Sequence, residues 1–141
     1  MKRDEILDLL PHRPPMLLLD DVVEQEGEAI GHYTVRGDEF FLQGHFPGNP
    51  IVPGVILCEI LAQSACALMQ DHLQAGQLPV YTGLNNTKFR SSVKPGETVE
   101  TRCHIRRAKH PFYFAEGTVR VGERLCMSTE FSFAITGGME A

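Results

Sequence analysis

GVILCEILAQSACALMQDHL, Gly54 to Leu73, carries the densest structural signal in the chain. It is rich in Leu, Ala and Met, and Gly76 follows as a C-terminal cap, so the pattern predicts one long helix from Gly54 to about Leu73. Val55, Ile56, Leu57, Ile60, Leu61, Ala62, Ala65, Leu68 and Met69 run nearly all the way round the cylinder. A helix apolar on most sides is surrounded by protein. Glu59, Gln63 and Ser64 interrupt the apolar run, which therefore falls short of the roughly 18 to 20 apolar residues that a membrane span needs.

Directly ahead of the helix lies QGHFPGNPIVPG, Gln43 to Gly54, with three prolines and three glycines in twelve residues. No regular element persists through such a stretch. Phe46, Ile51 and Val52 inside it predict an ordered loop, since disordered linkers rarely carry bulky apolar side chains. Earlier still, Lys2 to Leu10 reads as a short amphipathic helix stopped by Pro11. Met16 to Glu26 reads as a strand, Gly27-Glu28 as its turn, and Ala29 to Arg36 as a second strand. Beyond the helix, strands are expected near Val80 to Arg90, Thr98 to Lys109, Phe112 to Val121 and Arg124 to Ile135. In the last, Leu125, Met127, Thr129, Phe131, Phe133 and Ile135 alternate with smaller or polar residues, the period of a half-buried strand. Pro95-Gly96 and Gly122-Glu123 mark turns. The economical architecture is α+β: one helix wrapped by an antiparallel sheet of five or six strands.

With 141 residues, 43% apolar, 22% charged and a formal charge of −5, the chain fits one globular domain over its whole length, 1–141. Thirteen Lys plus Arg against 18 Asp plus Glu exclude a general attraction to nucleic acid. Cations nevertheless cluster between Asn86 and His110, where Lys88, Arg90, Lys94, Arg102, Arg106, Arg107 and Lys109 outnumber Glu97 and Glu100. Such a run reads first as a solvated strand face and second as a docking surface for an acidic partner. Cys58, Cys66, Cys103 and Cys126 have neither C-x-x-C spacing nor the density of a disulfide scaffold, so reduced thiols are expected. Asp4, Glu5 and Asp8 fall where a signal peptide needs an apolar run, and the expected location is cytoplasmic.

The chemistry-bearing residues cluster around the long helix. Glu59 lies within its apolar part, where an unpartnered carboxylate is costly and its pKa should rise. Glu59, Gln63, Cys66 and Gln70 fall at i, i+4, i+7 and i+11, one narrow stripe that lines a cavity or meets a neighbouring surface. His45 is pinned in the proline and glycine loop, and imidazole suits proton abstraction near neutrality. His12, beside Pro11 and Arg13, is a structural candidate, whereas His32, His72, His104 and His110 read as strand or surface residues. Gly54 opens the helix with nothing to block its N–H, which together with the helix dipole favours a developing negative charge. The chain has no nucleophile elbow, no phosphate-binding glycine loop and no metal-ligand spacing.

LPHRPPMLLLD (Leu10 to Asp20), GHFPGNPIVPGVILCEILAQ (Gly44 to Gln63) and KFR followed by V-x-P-G-E (Lys88 to Glu97) together resemble the 3-hydroxyacyl-acyl-carrier-protein dehydratases of bacterial type II fatty acid synthesis. The resemblance runs from about Leu7 to Ile135. It implies a hot-dog fold and a homodimer with its long helices side by side, often three dimers in a hexamer. It also implies a His45 and Glu59 catalytic pair drawn from adjacent subunits, with the Gly54 N–H on the thioester carbonyl. Glu at position 59, where the related isomerising enzyme has Asp, resembles the type that dehydrates only. The implied substrate is a (3R)-3-hydroxyacyl chain on acyl carrier protein, converted to the trans-2-enoyl thioester without cofactor or metal. Phe46, Val55, Gln63, Leu84 and Phe89 are then candidates for the acyl tunnel, Tyr81 for its mouth, and Lys88, Arg90 and Lys94 for carrier docking. Pro14-Pro15, Asn85-Asn86-Thr87 and Ser91-Ser92 depart from the family pattern and bear on chain-length preference. A hot-dog thioesterase, a coenzyme-A hydratase and a non-catalytic acyl-binding module are the competing readings.

Overall fold

Period-2 segments joined by tight turns pair into a sheet, and the one strongly apolar helix must then cover that sheet's apolar face. The computed structural model describes residues 1–44, 48–71, 73 and 76–137. Helix α1 (Arg3–Leu9) precedes strands β1 (Asp21–Gln25) and β2 (Glu28–Thr34). Helix α2 (Gly54–Ala65) follows, then β3 (Gln77–Phe89), β4 (Thr98–Lys109), β5 (Phe112–Val121) and β6 (Arg124–Gly137). The six strands form one antiparallel sheet in the order β1-β2-β4-β5-β6-β3, the hot-dog arrangement around a central helix.

Two glycines let α2 settle onto this sheet. A Cβ on Gly31 of β2 would lie 2.9 Å from the Ser64 Cβ and 2.8 Å from the Thr101 Oγ1. On Gly117 of β5 it would lie 2.9 Å from the Leu61 Cδ1 and 2.7 Å from the Arg102 carbonyl. Leu57, Ile60 and Leu61 are buried against the strands, each contributing on the order of 1.5–3 kcal/mol of apolar burial.

β4 and β5 match the bounds read from sequence, and β6 runs two residues further. Several other expectations are corrected. Residues 16–20 are not strand, although Leu17, Leu18 and Leu19 are buried. Their backbone is satisfied by a helix side chain: the Leu18 N–H donates to the Gln63 Oε1 (2.8 Å) and the Gln63 Nε2 donates to the Met16 carbonyl (2.8 Å). The first hairpin turn is Glu26-Gly27, not Gly27-Glu28. Both residues have positive φ (53° and 80°) and Gln25 pairs with Glu28, the two-residue geometry that suits the strands' twist. β2 stops at Thr34, short of the expected Arg36.

Helix α2 ends at Ala65 and tightens into a 3-10 turn over Cys66–Met69, stopping short of Leu73. Ser64 Oγ donates to the Leu61 carbonyl and Cys66 Sγ to the Ala62 carbonyl, side-chain bonds that compete with the ladder at a terminus already prone to tighten. Gly76, with φ of +82°, serves the turn into β3, which begins at Gln77, before the expected Val80. Pro79 is tolerated there because β3 is an edge strand. Nor is α2 enclosed by its own chain: Val55 is 70% exposed.

Candidate active site

Glu59 sits in the second turn of α2 and lines a cavity of about 250 Å³. Gln63 and Cys66 continue the lining from the same helix face, Tyr81 closes it from β3, and Phe131 and Phe133 close it from β6. Three of the four residues in the expected stripe therefore share one cavity. Gln70 leaves it, because the switch to 3-10 geometry at Cys66 changes the rotation per residue. Its amide donates to the Ala67 carbonyl instead (3.0 Å).

The Glu59 carboxylate has two partners, both on Oε2: His12 Nε2 at 3.2 Å and Gln63 Nε2 at 2.9 Å. Burial pushes the Glu59 pKa up, but the hydrogen bonds from His12 and Gln63 and the charge of His12 outweigh it and hold the carboxyl below its ordinary value. The sequence expectation of a raised pKa is thus reversed, because two donors converge where apolar neighbours alone were anticipated. Burial pushes the Cys66 thiol up to about 12 and raises Cys58 and Tyr81 as well. The Tyr81 hydroxyl donates to the Cys58 carbonyl at 2.5 Å, and its ring meets Phe131 edge to face. Tyr81 is a wall of the cavity tied to the helix backbone.

Gly54, Val55 and Phe89 gather elsewhere, in a groove of about 470 Å³ rimmed by Arg90, Ser91 and Ser92. The Phe89 ring lies over Gly54, where a Cβ would stand 2.7 Å from the Phe89 Cε1. Five residues apart on one helix, Gly54 and Glu59 are separated by roughly 140° of rotation and about 7.5 Å of rise. Within one chain, the helix-start N–H and the carboxylate open onto different cavities. His45 and Phe46 lie outside the described residues. Leu84 is exposed on β3 and lines neither cavity.

The cationic segment divides. Arg102 pairs with Glu28 and Glu100, Arg106 with Glu116 and Glu130, and Arg107 stacks on Phe114. Lys88, Arg90 and Lys94 are exposed and take part in none of the ion pairs among the described residues. Among those residues no three His, Cys, Asp or Glu side chains come together as metal ligands. The residue that sequence reasoning underrated is His12. Its signal was the proline frame of LPHRPP, which restricts the backbone on both sides of it.

Comparison with known proteins follows the same line. Residues 10–130 match the family described as the FabA-like domain. The chain is 41% identical over 135 residues to a 3-hydroxyacyl-(acyl-carrier-protein) dehydratase FabZ of Macrococcus caseolyticus, covering 94% of this chain and 93% of that one. It is 38% identical over 135 residues to the FabZ of Chloroflexus aggregans, covering 94% of each. In fold it resembles a protein of the dehydratase heterocomplex ApeI:P from Xenorhabdus doucetiae, with a TM-score of 0.81 at 19% identity, covering 96% of this chain and 93% of that one. It also resembles the fluoroacetyl-CoA-specific thioesterase FlK, with a TM-score of 0.69 at 13% identity, covering 84% and 91%.

Proposed function

The chain belongs to the FabA-like family and is a hydro-lyase, a dehydratase of fatty acid biosynthesis, and from that premise we propose a division of labour between two of its copies. The substrate is a (3R)-3-hydroxyacyl thioester on acyl carrier protein and the product is the trans-2-enoyl thioester. His45 removes a proton from C2, and the Gly54 N–H holds the thioester oxygen as negative charge develops on it. The C3–O bond breaks, and Glu59 of the neighbouring protomer gives its proton to the departing hydroxide, which leaves as water. Glu59 ends as a carboxylate and His45 as an imidazolium, and both are reset by exchange with solvent.

The observation that carries the cross-subunit reading is the separation of Gly54 from Glu59 around α2, each facing its own cavity. One chain brings the acid and the oxyanion donor to different places, whereas a second chain laid beside α2 can join one protomer's groove to the other's cavity. The material for that contact is exposed: Val55 on α2, and Leu78, Val80 and Leu84 along the free edge of β3. Three such dimers make the hexamer that the family resemblance implies. Burial is already the largest single influence on Glu59. An acyl chain and a second subunit seated over it strip away more water and load the proton that the isolated chain releases.

The aromatic and aliphatic walls of the Glu59 cavity suit an alkyl chain. The exposed Lys88, Arg90 and Lys94, of which Arg90 rims the Gly54 groove, suit an acidic carrier protein met in the cytoplasm. The test is a cuvette containing carrier-bound 3-hydroxyacyl substrate and a thiol reagent. We expect the conjugated enoyl absorbance to rise with no thiol released, and Glu59→Gln and His45→Ala each to lose about a hundredfold or more of the rate. Thiol release without enoyl absorbance would establish a thioesterase instead. Replacing Lys88, Arg90 and Lys94 with Ala is expected to raise the KM for the carrier-bound substrate and leave that for a short thioester mimic unchanged. An equal effect on both substrates would refute docking at this patch.

A further inference from the structure

We propose that His12 is a positioning residue for the dehydration: with the Gln63 amide it grips one oxygen of Glu59, Oε2, and leaves the other, Oε1, as the proton-donating oxygen. The proposal rests on the role just given to Glu59, and it concerns a residue that the catalytic pair does not include.

The geometry is a closed circuit. Gln63 uses its whole amide: Oε1 accepts from the Leu18 N–H, and the two Nε2 hydrogens go to the Met16 carbonyl and to Glu59 Oε2. The Leu18 donor and the Met16 acceptor fix which end of the amide is nitrogen, so Gln63 must donate to Glu59. The same loop returns to the carboxylate through His12, whose Nε2 lies 3.2 Å from that oxygen. Arg13 Nη1 donates to the carbonyls of Leu10 and His12, both at 2.8 Å, and braces the backbone on either side of the ring's attachment. Oε2 thus receives two donors, while Oε1 receives none among the described residues.

The far side of the ring settles its tautomer. His12 Nδ1 is buried and has no hydrogen-bond partner among the described residues, so a proton there would bury an unpaired N–H, while a proton on Nε2 is used by Glu59. Where the ring carries a single proton that proton sits on Nε2, so in either ionisation state His12 is a donor to Glu59. Donors fixed on Oε2 serve both ends of the reaction. They orient the acid before the proton leaves Oε1, and they stabilise the carboxylate formed when it has left. The other titratable groups facing Glu59 are the Cys58 and Cys66 thiols on its own helix segment and the Tyr81 hydroxyl from β3, all raised by burial and neutral near pH 7. From β6 the neighbours are the Phe131 and Phe133 rings. Among the described residues His12 is the titratable side chain that bonds to Glu59.

The experiment pairs His12→Ala with His12→Gln, whose amide can place a donor near the Nε2 position. Glu59 is titrated by carbon-13 NMR in glutamate-labelled protein, with the resonance identified by its loss in Glu59→Gln. We expect His12→Ala to move the Glu59 titration to higher pH and to lower kcat by about tenfold or more with KM little changed. His12→Gln should restore most of both, and thermal melting should show each variant folded. A His12→Ala protein whose Glu59 titration stays at the wild-type pH overturns the proposal, as does a fall in KM affinity with kcat intact. If His12→Ala does not fold, the His12→Gln titration and kcat decide alone, and values far from wild type in a folded protein overturn it. Failure of the Glu59 role shows up separately, as a Glu59→Gln enzyme that still dehydrates, while the titration still reports whether His12 governs the carboxyl.

Discussion

A histidine held between two carboxylates behaves differently from one held by apolar walls, and this chain also has the former. His32 on β2 meets Asp21 on β1 through Nδ1 (2.7 Å) and Glu100 on β4 through Nε2 (3.1 Å), so one ring ties three neighbouring strands. Burial pulls its pKa down, but the hydrogen bonds and charges of Asp21 and Glu100 more than reverse this and raise it above the ordinary value of 6.5. A folded-state pKa above the unfolded one gives stability that is fully present below about pH 6.5 and lost as pH climbs through the raised value. Melting curves between about pH 5.5 and 8.5 should therefore fall more steeply for the wild type than for His32→Gln. Parallel curves would show that the bridge contributes nothing. At this scale the sequence exposed Glu59 as chemically significant but not its ionisation. An apolar neighbourhood is written in the residues beside it, whereas His12 reaches it from the far side of a loop and leaves no local mark. Gln63 was legible as a polar residue on the same face, though not as the group that holds the leucine run Leu17 to Leu19 in place.

Among the elements, β4 and β5 were legible to their end residues because an alternating pattern was cut off by Pro, Gly or a charged turn on both sides. β1 was not, since three consecutive buried leucines resemble a strand whether or not a ladder accompanies them. The end of α2 was hidden as well, because Ser64 and Cys66 are ordinary helix residues until their side chains turn back onto carbonyls. What the helix needs from the sheet is space. Gly117→Ala would press a methyl group against Leu61 and the Arg102 carbonyl, and a carbonyl cannot step aside as a side-chain end can. We expect a loss of about 1–3 kcal/mol, read as a lower urea midpoint with unchanged slope. An unchanged midpoint would mean that the helix and strand part at little cost.

For the molecule as a whole, the telling quantity is the apolar surface left uncovered. Val55, Phe89, Leu84, Val80 and Leu78 are all exposed, and β3 presents a thirteen-residue outer edge. Proteins rarely leave so long an apolar edge without pairing or covering it. Val80→Glu should yield a species of protomer mass by sedimentation and should abolish dehydration at concentrations where the wild type is active. A variant that stays assembled would show that the edge is covered in another way. The hot-dog class and the dehydratase family were legible from the motifs around α2, while the two separate cavities that Glu59 and Gly54 line became visible only in three dimensions.

The proposed sharing of a centre between two copies has a genetic consequence. Two dead proteins, one spoiled at His45 and the other at Glu59, should rescue each other when denatured together in equal amounts and allowed to reassociate at random. Each hybrid pair concentrates both lesions in one centre and leaves its twin intact, so about a quarter of full turnover returns. A polypeptide that carried the whole apparatus within itself would recover nothing.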